Sequence, residues 1–250
     1  MASYKVKYMA IPVGVSWFSA SQSAIDHLLP NVYYHVKESG GKQIIGQKEI
    51  SRTLEIDLTQ AEETLHAAFL KSYRQQIRQA EEEGVTCYFK DDEIGFFAEF
   101  FNQFARNKKI HTVTPERLTE MKRHLRLSFA SYNGVVLAAH SYIVDNDLKI
   151  VRAFHSATRR LEDSVERNRV GKANKLLHYK DMLEFKRQGY EIYDFGGIAM
   201  DSDNPELKGI NDFKLGFGGK VVDCDNFYSY GYVLLRKLSR IFKLTSETSE

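Results

Sequence analysis

Two glycine-rich segments each set one charged side chain beside neighbouring glycines. The first, Asp194-Phe-Gly-Gly197, closes a predicted strand, where two glycines allow a tight turn and close approach of a substrate. We therefore expect Asp194, Gly196 and Gly197 to bind substrate. The second, Phe213–Gly219, carries Lys214, which could hold a phosphate or stabilise the charge that develops on an acyl oxygen. The structural alternatives are a turn without a ligand, with Asp194 as a cap, and an exposed lysine.

A basic stretch precedes a helix that the sequence predicts to open at Gly171. Between Arg152 and Lys175 there are seven Lys or Arg residues and three acids. A helix N-terminus offers unpaired amides to a phosphate, and glycine lets the ligand approach the backbone. The predicted phosphate-binding residues are Asn168, Arg169, Gly171, Lys172, Ala173 and Asn174. A solvated charged loop before an ordinary helix is the alternative.

Histidines supply the candidate proton acceptors. His140 and His155 lie in a predicted antiparallel meander and are the candidate bases, because imidazole titrates near neutrality. Histidines packed in a core are the commoner case, and His178 on the following helix is a weaker candidate. Cys87 and Cys224 have no motif-bound partner, so cysteine catalysis is not expected. The eight histidines show no His-x-x-x-His spacing, and no metal site is expected.

The composition limits where such a site can reside. The chain has 250 residues, of which 43% are hydrophobic and 27% charged, so we expect a folded globular protein. The net charge of +2 is too balanced for a dedicated DNA-coating protein. Two cysteines and the lack of a signal-peptide pattern indicate a cytoplasmic location. We expect a single domain over residues 1–244 and a polar tail over 245–250.

Hydrophobic periodicity gives the order of the elements that must position these residues. It predicts strands first, then helices, a three-strand meander, a long helix, a strand, a short helix and a last strand. The predicted ranges are strands 4–11, 32–36 and 43–45, a helix from 59 to 84, a strand at 85–89, helices from 91 and from 115, the meander over 125–155, a helix over 171–188, a strand at 190–195, a helix at 205–215 and a strand at 220–227. Such an order favours one sheet covered by helices.

Several segments resemble the GNAT acyltransferases, in particular their FemAB-like branch, which includes the peptidoglycan-bridge aminoacyltransferases. The segments are Tyr73–Val85, Ala173–Lys180, Gly189–Ile198 and Gly209–Gly219. The pair Y-D-F-G-G and F-K-x-x-F-G-G is the most specific part, and the resemblance covers residues 65–222. FemAB enzymes carry two GNAT units and this chain has room for one, while the acyl-CoA motif of the fold is matched with Asn168 in its first position.

The resemblance implies an α/β (α+β) fold with a GNAT-like, mixed, mostly antiparallel sheet flanked by helices. It also implies an N-acyltransferase that moves an acyl or aminoacyl group from acyl-CoA or aminoacyl-tRNA to an amine, in an envelope glycoconjugate precursor for example. A tRNA partner follows if the donor is aminoacyl-tRNA. Two alternatives stay open: an acetyl-CoA-dependent N-acetyltransferase of small molecules, and a non-catalytic GNAT scaffold that binds a ligand or partner.

The C-terminal run over residues 233–243 is amphipathic if helical. Leu234, Leu238 and Ile241 fall on one side, and four Lys or Arg residues fall elsewhere. This pattern indicates contact with an anionic membrane surface, here the inner face of the cell membrane. A helix packed on the domain is the alternative.

Overall fold

The structure is a computed structural model. It describes residues 1–8, 10–20, 23–38, 46–159, 164–199 and 203–247, with the backbone alone at 164–166 and 240–247. Its contacts divide the chain into two compact units, a smaller one of Met1–Ser51 with Asp223–Glu250 and a larger one of Arg52–Val222. The single domain over 1–244 stays a prediction. The predicted strand at 43–45 and the last three residues of the predicted tail lie outside the described residues.

The described residues form ten strands and eight α-helices. In chain order these are β1 (Ala2–Tyr8), β2 (Ile11–Ser19), α1 (Ala24–Leu28), β3 (Asn31–Glu38), β4 (Gly46–Asp57), α2 (Glu62–Ala67), α3 (Lys71–Glu82), β5 (Thr86–Phe89), α4 (Ile94–Lys108), α5 (Pro115–Glu120), β6 (Leu125–Tyr132), β7 (Val135–Asp145), β8 (Ile150–Thr158), α6 (Ser164–Arg187), β9 (Ile192–Gly197), α7 (Pro205–Leu215), β10 (Lys220–Ser229) and α8 (Tyr230–Glu247). The mixed, mostly antiparallel α/β class is confirmed.

The sheet of the larger unit has the strand order β4-β9-β8-β7-β6-β5. β8 and β9 run parallel, and the other neighbours in this order are antiparallel. The parallel pair is registered from Ile150–Ile192 to Arg152–Asp194 and has no further paired residues in the described part of these strands. The two strands therefore separate just after Asp194, and beyond this point their backbone N–H and C=O groups no longer pair with each other.

The long helix α6 covers one face of this sheet. It packs on α3 and on β6, β7 and β8 through an apolar face that includes Ala173, Leu177 and Phe185. It ends before Gly189, whose φ of +83° suits the glycine predicted there. Its predicted start at Gly171 is wrong, because the helix already begins at Ser164. Residues 164–170 contain no proline, and Gly171 is tolerated inside the helix at a cost of about 1 kcal/mol relative to alanine.

Helix α4 packs on β7 and β8 through buried phenylalanines. Phe97, Phe100 and Phe101 are among these residues, as their spacing of three and four predicts. Its basic last turn, with Arg106 and Lys108, suits the negative end of the helix dipole.

The smaller unit contains β1, β2, β3 and most of β10, which follow a different pattern. β1 and β2 are antiparallel, β2 and β3 are parallel, and β3 and β10 are antiparallel. The predicted strand over 4–11 is two strands here, because Ala10 takes a φ of +65° and turns the chain. The long strand β4 was missed, since its first half is polar and exposed and carries no clear alternation.

Candidate functional site

A turn of the backbone at the end of β9 brings Gly196 close to β8 and α7. Its φ is +82°, a conformation that favours glycine. A Cβ atom added there would lie 3.3 Å from the carbonyl oxygen of Ala153, 3.6 Å from an Arg152 guanidinium nitrogen and 3.8 Å from the Lys214 ammonium. Two cations thus converge on a glycine turn where the parallel strands part.

The Asp194 carboxylate stabilises this turn through hydrogen bonds. The carboxylate is fully buried, and it accepts hydrogen bonds from Arg152 Nη1 at 2.6 Å and from the Gly196 amide at 2.7 Å. The Thr53 hydroxyl also donates to Asp194 and accepts from Arg152 at 3.2 Å. A buried carboxylate is tolerated only when it is paired in this way. The geometry matches the structural alternative for Asp194, and its contact with substrate stays a prediction.

Lys214 reaches the same turn from α7. Its Nζ donates to the carbonyl oxygen of Gly197 at 2.7 Å, which uses one of its three N–H groups. Burial, reinforced by the neighbouring Arg152, lowers the pKa of Lys214 to about 8, against the opposing effect of Asp194. The structure therefore brings together Lys214, Gly196 and Gly197, and it removes the Lys214 ammonium from water in part. Its catalytic role stays a prediction.

An aromatic shell separates this cluster from the interior of the unit. Phe213 and Phe217 pack on the His178 ring, with centroids 5.6 and 5.4 Å away, and Phe195 lies at 4.9 Å. The Lys175 ammonium lies 4.8 Å from the centroid of the Tyr73 ring, which is close enough for a cation–π contact. Burial lowers the pKa of Lys175. Burial also holds the pKa of His178 well below its usual value, with His140 and both lysines acting in the same direction.

A chain of buried polar groups runs behind His178. Its Nδ1 lies 2.8 Å from the Tyr193 hydroxyl, which lies 3.0 Å from the Tyr142 hydroxyl, and Tyr142 donates to Asp181 Oδ2 at 2.5 Å. The Tyr142 hydroxyl has a single proton, which goes to the Asp181 carboxylate oxygen. Tyr193 then donates to Tyr142, and His178 Nδ1–H donates to Tyr193. His178 Nε2 is left as the unprotonated nitrogen, with no hydrogen-bond partner among the described residues.

His140 belongs to the same hydrogen-bond network, and both of its ring nitrogens have partners. Its Nδ1 is 2.9 Å from Asp181 Oδ2, and its Nε2 is 2.9 Å from Asn174 Oδ1. The residue is fully buried and stacks on His178 with ring centroids 4.0 Å apart. Both nitrogens are therefore occupied, which is the geometry of a structural core histidine. Its role as a base stays a prediction that this geometry disfavours.

His155 lies on the other face of the sheet. Its Nδ1 is 2.8 Å from Ser141 Oγ, and its ring packs on Phe101 of α4 at 4.7 Å. Burial lowers the pKa of His155 to about 4. Because His140 contacts α6 and His155 contacts α4, the structure does not bring the two predicted bases together.

The predicted phosphate-binding residues all lie inside α6, four to ten residues beyond its first residue, Ser164. Asn168 is exposed, Ala173 is fully buried, and Asn174 bonds to His140. Lys172 pairs with Glu83, and Arg169 lies 3.6 Å from the same carboxylate. Amides inside a helix are bonded to the preceding turn, so the unpaired amides expected at Gly171 are not there. A role for Asn168, Arg169, Gly171, Lys172, Ala173 and Asn174 in donor binding stays a prediction.

Sequence reasoning missed several residues that build the site. They are Thr53, Tyr142, Arg152, Asp181 and Tyr193. A signal exists for part of this set. Asn174, His178 and Asp181 are spaced by four and three residues on the otherwise apolar face of α6, and a polar stripe within a buried face calls for partners. Arg152 and Thr53 carry no such signal, because they meet through strands distant in sequence.

Two negative results apply to the described part of the chain. Within it, no three His, Cys, Asp or Glu side chains come together in a way that could hold a metal ion. No helix in the same ranges is both long and apolar enough to cross a bilayer.

Comparison with known proteins places the fold. No protein-family model matches the sequence, and no curated protein matches it significantly. Among solved structures, FemX is similar with a TM-score of 0.60 at 12% identity, over 82% of this chain and 67% of that one. The C-terminal DUF2156 domain of a protein assigned as a lysylphosphatidylglycerol synthetase from Agrobacterium fabrum has a TM-score of 0.56 at 11% identity, over 92% and 85%.

L-PGS from Bacillus licheniformis is similar as well, with a TM-score of 0.54 at 11% identity, over 90% of this chain and 80% of that one. The resemblance to FemAB-like proteins of GNAT fold is thus confirmed at the level of the fold. Identities this low carry no further statement about what this chain does.

Proposed function

We propose that this protein transfers an acyl or aminoacyl group from an activated carrier to an amine. The observation that carries the proposal is the placement of Lys214, a half-buried cation that donates one hydrogen bond to Gly197 among the described residues, beside Gly196 and Gly197. The attack of an amine on an acyl carbonyl creates an oxyanion, which a pre-positioned cation in a water-poor site stabilises. Neither glycine has a side chain that would keep the carbonyl from that cation.

The proton of the attacking amine needs an acceptor, and we propose that it passes to solvent. His178 is not suited to this task, because its ring is buried among aromatic side chains and burial holds its pKa well below the usual value. In this scheme no covalent enzyme intermediate forms, and the carrier leaves with the pair of electrons of its bond to the acyl carbon.

The proposed donors are acyl-CoA and aminoacyl-tRNA, both of which bring phosphates. We propose that Lys175 meets them, since Lys172 and Arg169 lie on Glu83 and Lys214 acts on the oxyanion. An amine of an envelope glycoconjugate precursor is the proposed acceptor, and the fold shared with FemX and the synthetases supports an aminoacyl donor. A cytoplasmic location belongs to the same proposal. An acetyl-CoA-dependent N-acetyltransferase of small molecules fits the same cluster and is the second candidate.

The test compares Lys214→Ala with Lys208→Ala. Lys208 lies on the same helix, is largely exposed and pairs loosely with Asp203, so its loss leaves the turn intact. Transfer is measured from acetyl-CoA and from a mixture of charged tRNAs to a panel of amines. Loss of a cation that stabilises the oxyanion, worth about 2–4 kcal/mol, lowers turnover by roughly 30- to 1000-fold in Lys214→Ala alone.

The rival functions give different results in the same experiment. Binding of CoA without binding of tRNA favours the N-acetyltransferase. Ligand binding without product from any donor favours a non-catalytic scaffold. Equal turnover in Lys214→Ala and in the parent protein would reject the role of Lys214.

A further inference from the structure

Six large apolar side chains of the smaller unit are exposed on or next to two helices. Three belong to α1 and the residue after it, and three to α8. They are Ile25, Leu28, Leu29, Tyr230, Leu234 and Leu238, with exposed fractions between 43% and 68%. Single exposed leucines are ordinary on protein surfaces, but a group on neighbouring helices calls for a partner.

The two sets adjoin because α1 ends against the first turn of α8. A Cβ atom added to Gly231 would lie 2.2 Å from the carbonyl oxygen of Leu28, so the backbones meet there. Gly231, Leu234 and Leu238 recur every three to four residues and share one side of α8. The exposed stripe of α8 is thus continuous with the exposed end of α1. We call these six residues the α1–α8 face.

Positive charge borders this face. From Tyr230 to Ser246 the sequence has four basic residues and no acid. Lys237 is exposed one turn from Leu234, and Arg236 lies 6.0 Å from the centroid of the Tyr228 ring. Neither cation has a carboxylate partner in the described part of the chain. An apolar stripe edged by unpaired cations is complementary to a surface that is apolar inside and anionic at its boundary.

We propose that the α1–α8 face docks on an anionic lipid bilayer, with its aliphatic side chains in the headgroup region and its cations against lipid phosphates. A second copy of the chain fits less well. In a two-fold dimer the same patch meets itself, so its cations would add to those of the second copy instead of meeting a complementary charge. This proposal is independent of the transferase activity proposed above.

Vesicle co-sedimentation of the full chain tests the proposal. The protein should bind vesicles of phosphatidylcholine mixed with phosphatidylglycerol, bind pure phosphatidylcholine weakly, and dissociate as salt is raised. Lys237→Glu changes the charge by two and should weaken binding roughly 30-fold. The double variant Leu234→Ser with Leu238→Ser should weaken it by at least about tenfold, since two side chains no longer enter the interface.

Two control variants lie in the larger unit. Ile110→Ser removes a side chain that is 50% exposed, and Lys122→Glu reverses an exposed charge. Both should bind like the parent protein, and thermal unfolding should be unchanged in all variants because the substituted side chains are exposed. Equal weakening by the controls, or no binding to anionic vesicles, overturns the proposal. A stable dimer that Leu234→Ser with Leu238→Ser dissociates would assign the face to a second copy and overturn it as well.

Discussion

The Nδ1 atom of His178 lies 2.8 Å from the hydroxyl oxygen of Tyr193, two buried groups joined across α6 and β9. The contact matters because Tyr193 is itself held by Tyr142, and Tyr142 by the buried Asp181. One carboxylate thereby sets the direction of three successive hydrogen bonds and decides which imidazole nitrogen carries the proton.

The first prediction concerns that proton. Nitrogen-15 NMR of the folded chain should show His178 as the neutral Nδ1–H tautomer near pH 7, because burial holds its pKa well below the usual value. Tyr193→Phe removes the acceptor of this proton and should give a mixture of tautomers. Tyr190→Phe, whose hydroxyl bonds to Asn146 instead, should leave the His178 signals unchanged. A predominant Nε2–H tautomer in the parent protein would refute the assigned direction of the hydrogen bonds from His178 to Asp181, whatever the protein catalyses.

The second prediction is a pH profile. The pKa of Lys214 is lowered to about 8, so its ammonium is lost as the pH rises through that value. Turnover should fall above about pH 8 if the positive charge acts on the oxyanion. Lys214→Arg should be slower, since a planar guanidinium replaces a compact ammonium, but its rate should not fall in that range. The same slope in parent and variant would show that another group titrates.

The lowered pKa of Lys214 also makes the free energy of unfolding depend on pH. In the unfolded chain Lys214 titrates near 10.5, so between about pH 8 and 10.5 the unfolded state binds more protons and the parent gains stability as the pH rises. Lys214→Met should lack that gain in urea unfolding. This readout needs neither donor nor acceptor.

The third prediction separates His155 from catalysis. Burial lowers its pKa from 6.5 to about 4, so the folded state resists protonation. Stability from this residue is complete above about pH 6.5 and is lost as the pH falls toward 4, by at most about 3 kcal/mol. His155→Gln should unfold with a shallower pH dependence in that window, whereas the exposed His111→Gln should match the parent. Turnover of His155→Gln at neutral pH should stay within about threefold of the parent, because residues with a structural role act on stability.

The fourth prediction contrasts two glycines. Gly196→Ala places a Cβ atom 3.3 Å from the Ala153 carbonyl oxygen at a φ of +82°, and should lower the free energy of unfolding by about 1–2 kcal/mol. Gly209→Ala meets no atom within 4 Å inside the exposed part of α7, and should raise it by about 0.5–1 kcal/mol. Chemical unfolding measures both. Equal effects of the two substitutions would contradict the argument from backbone strain.

Local signals account for what could be predicted from the sequence. The meander and the end of the long helix at Gly189 follow from periodicity and turn residues. The predicted start of α6 at Gly171 is wrong because a single glycine does not end a helix when no proline or cap accompanies it.

Long-range pairing explains the remaining errors. Arg152 and Thr53 lie on strands 99 residues apart, and the shared partner Asp194 belongs to a third segment. The opposite faces of His140 and His155 follow from a β-bulge in the pairing of β7 with β8 between Ser141 and Tyr142, which no local pattern reveals. Neither the bulge nor the buried ion pair could be found without the strand order.

Asn174, His178 and Asp181 project from α6 toward residues on three different strands, His140 of β7, Tyr193 of β9 and Ser128 of β6. If the helix slid along the sheet by one residue, it would rotate by about 100° and part all three from their partners together. Leucines at these three positions would still bury this face of the helix, but the helix could then pack on the sheet in several registers of similar energy. The polar stripe therefore fixes the register of α6 on the sheet, because each of its three side chains bonds to a particular strand.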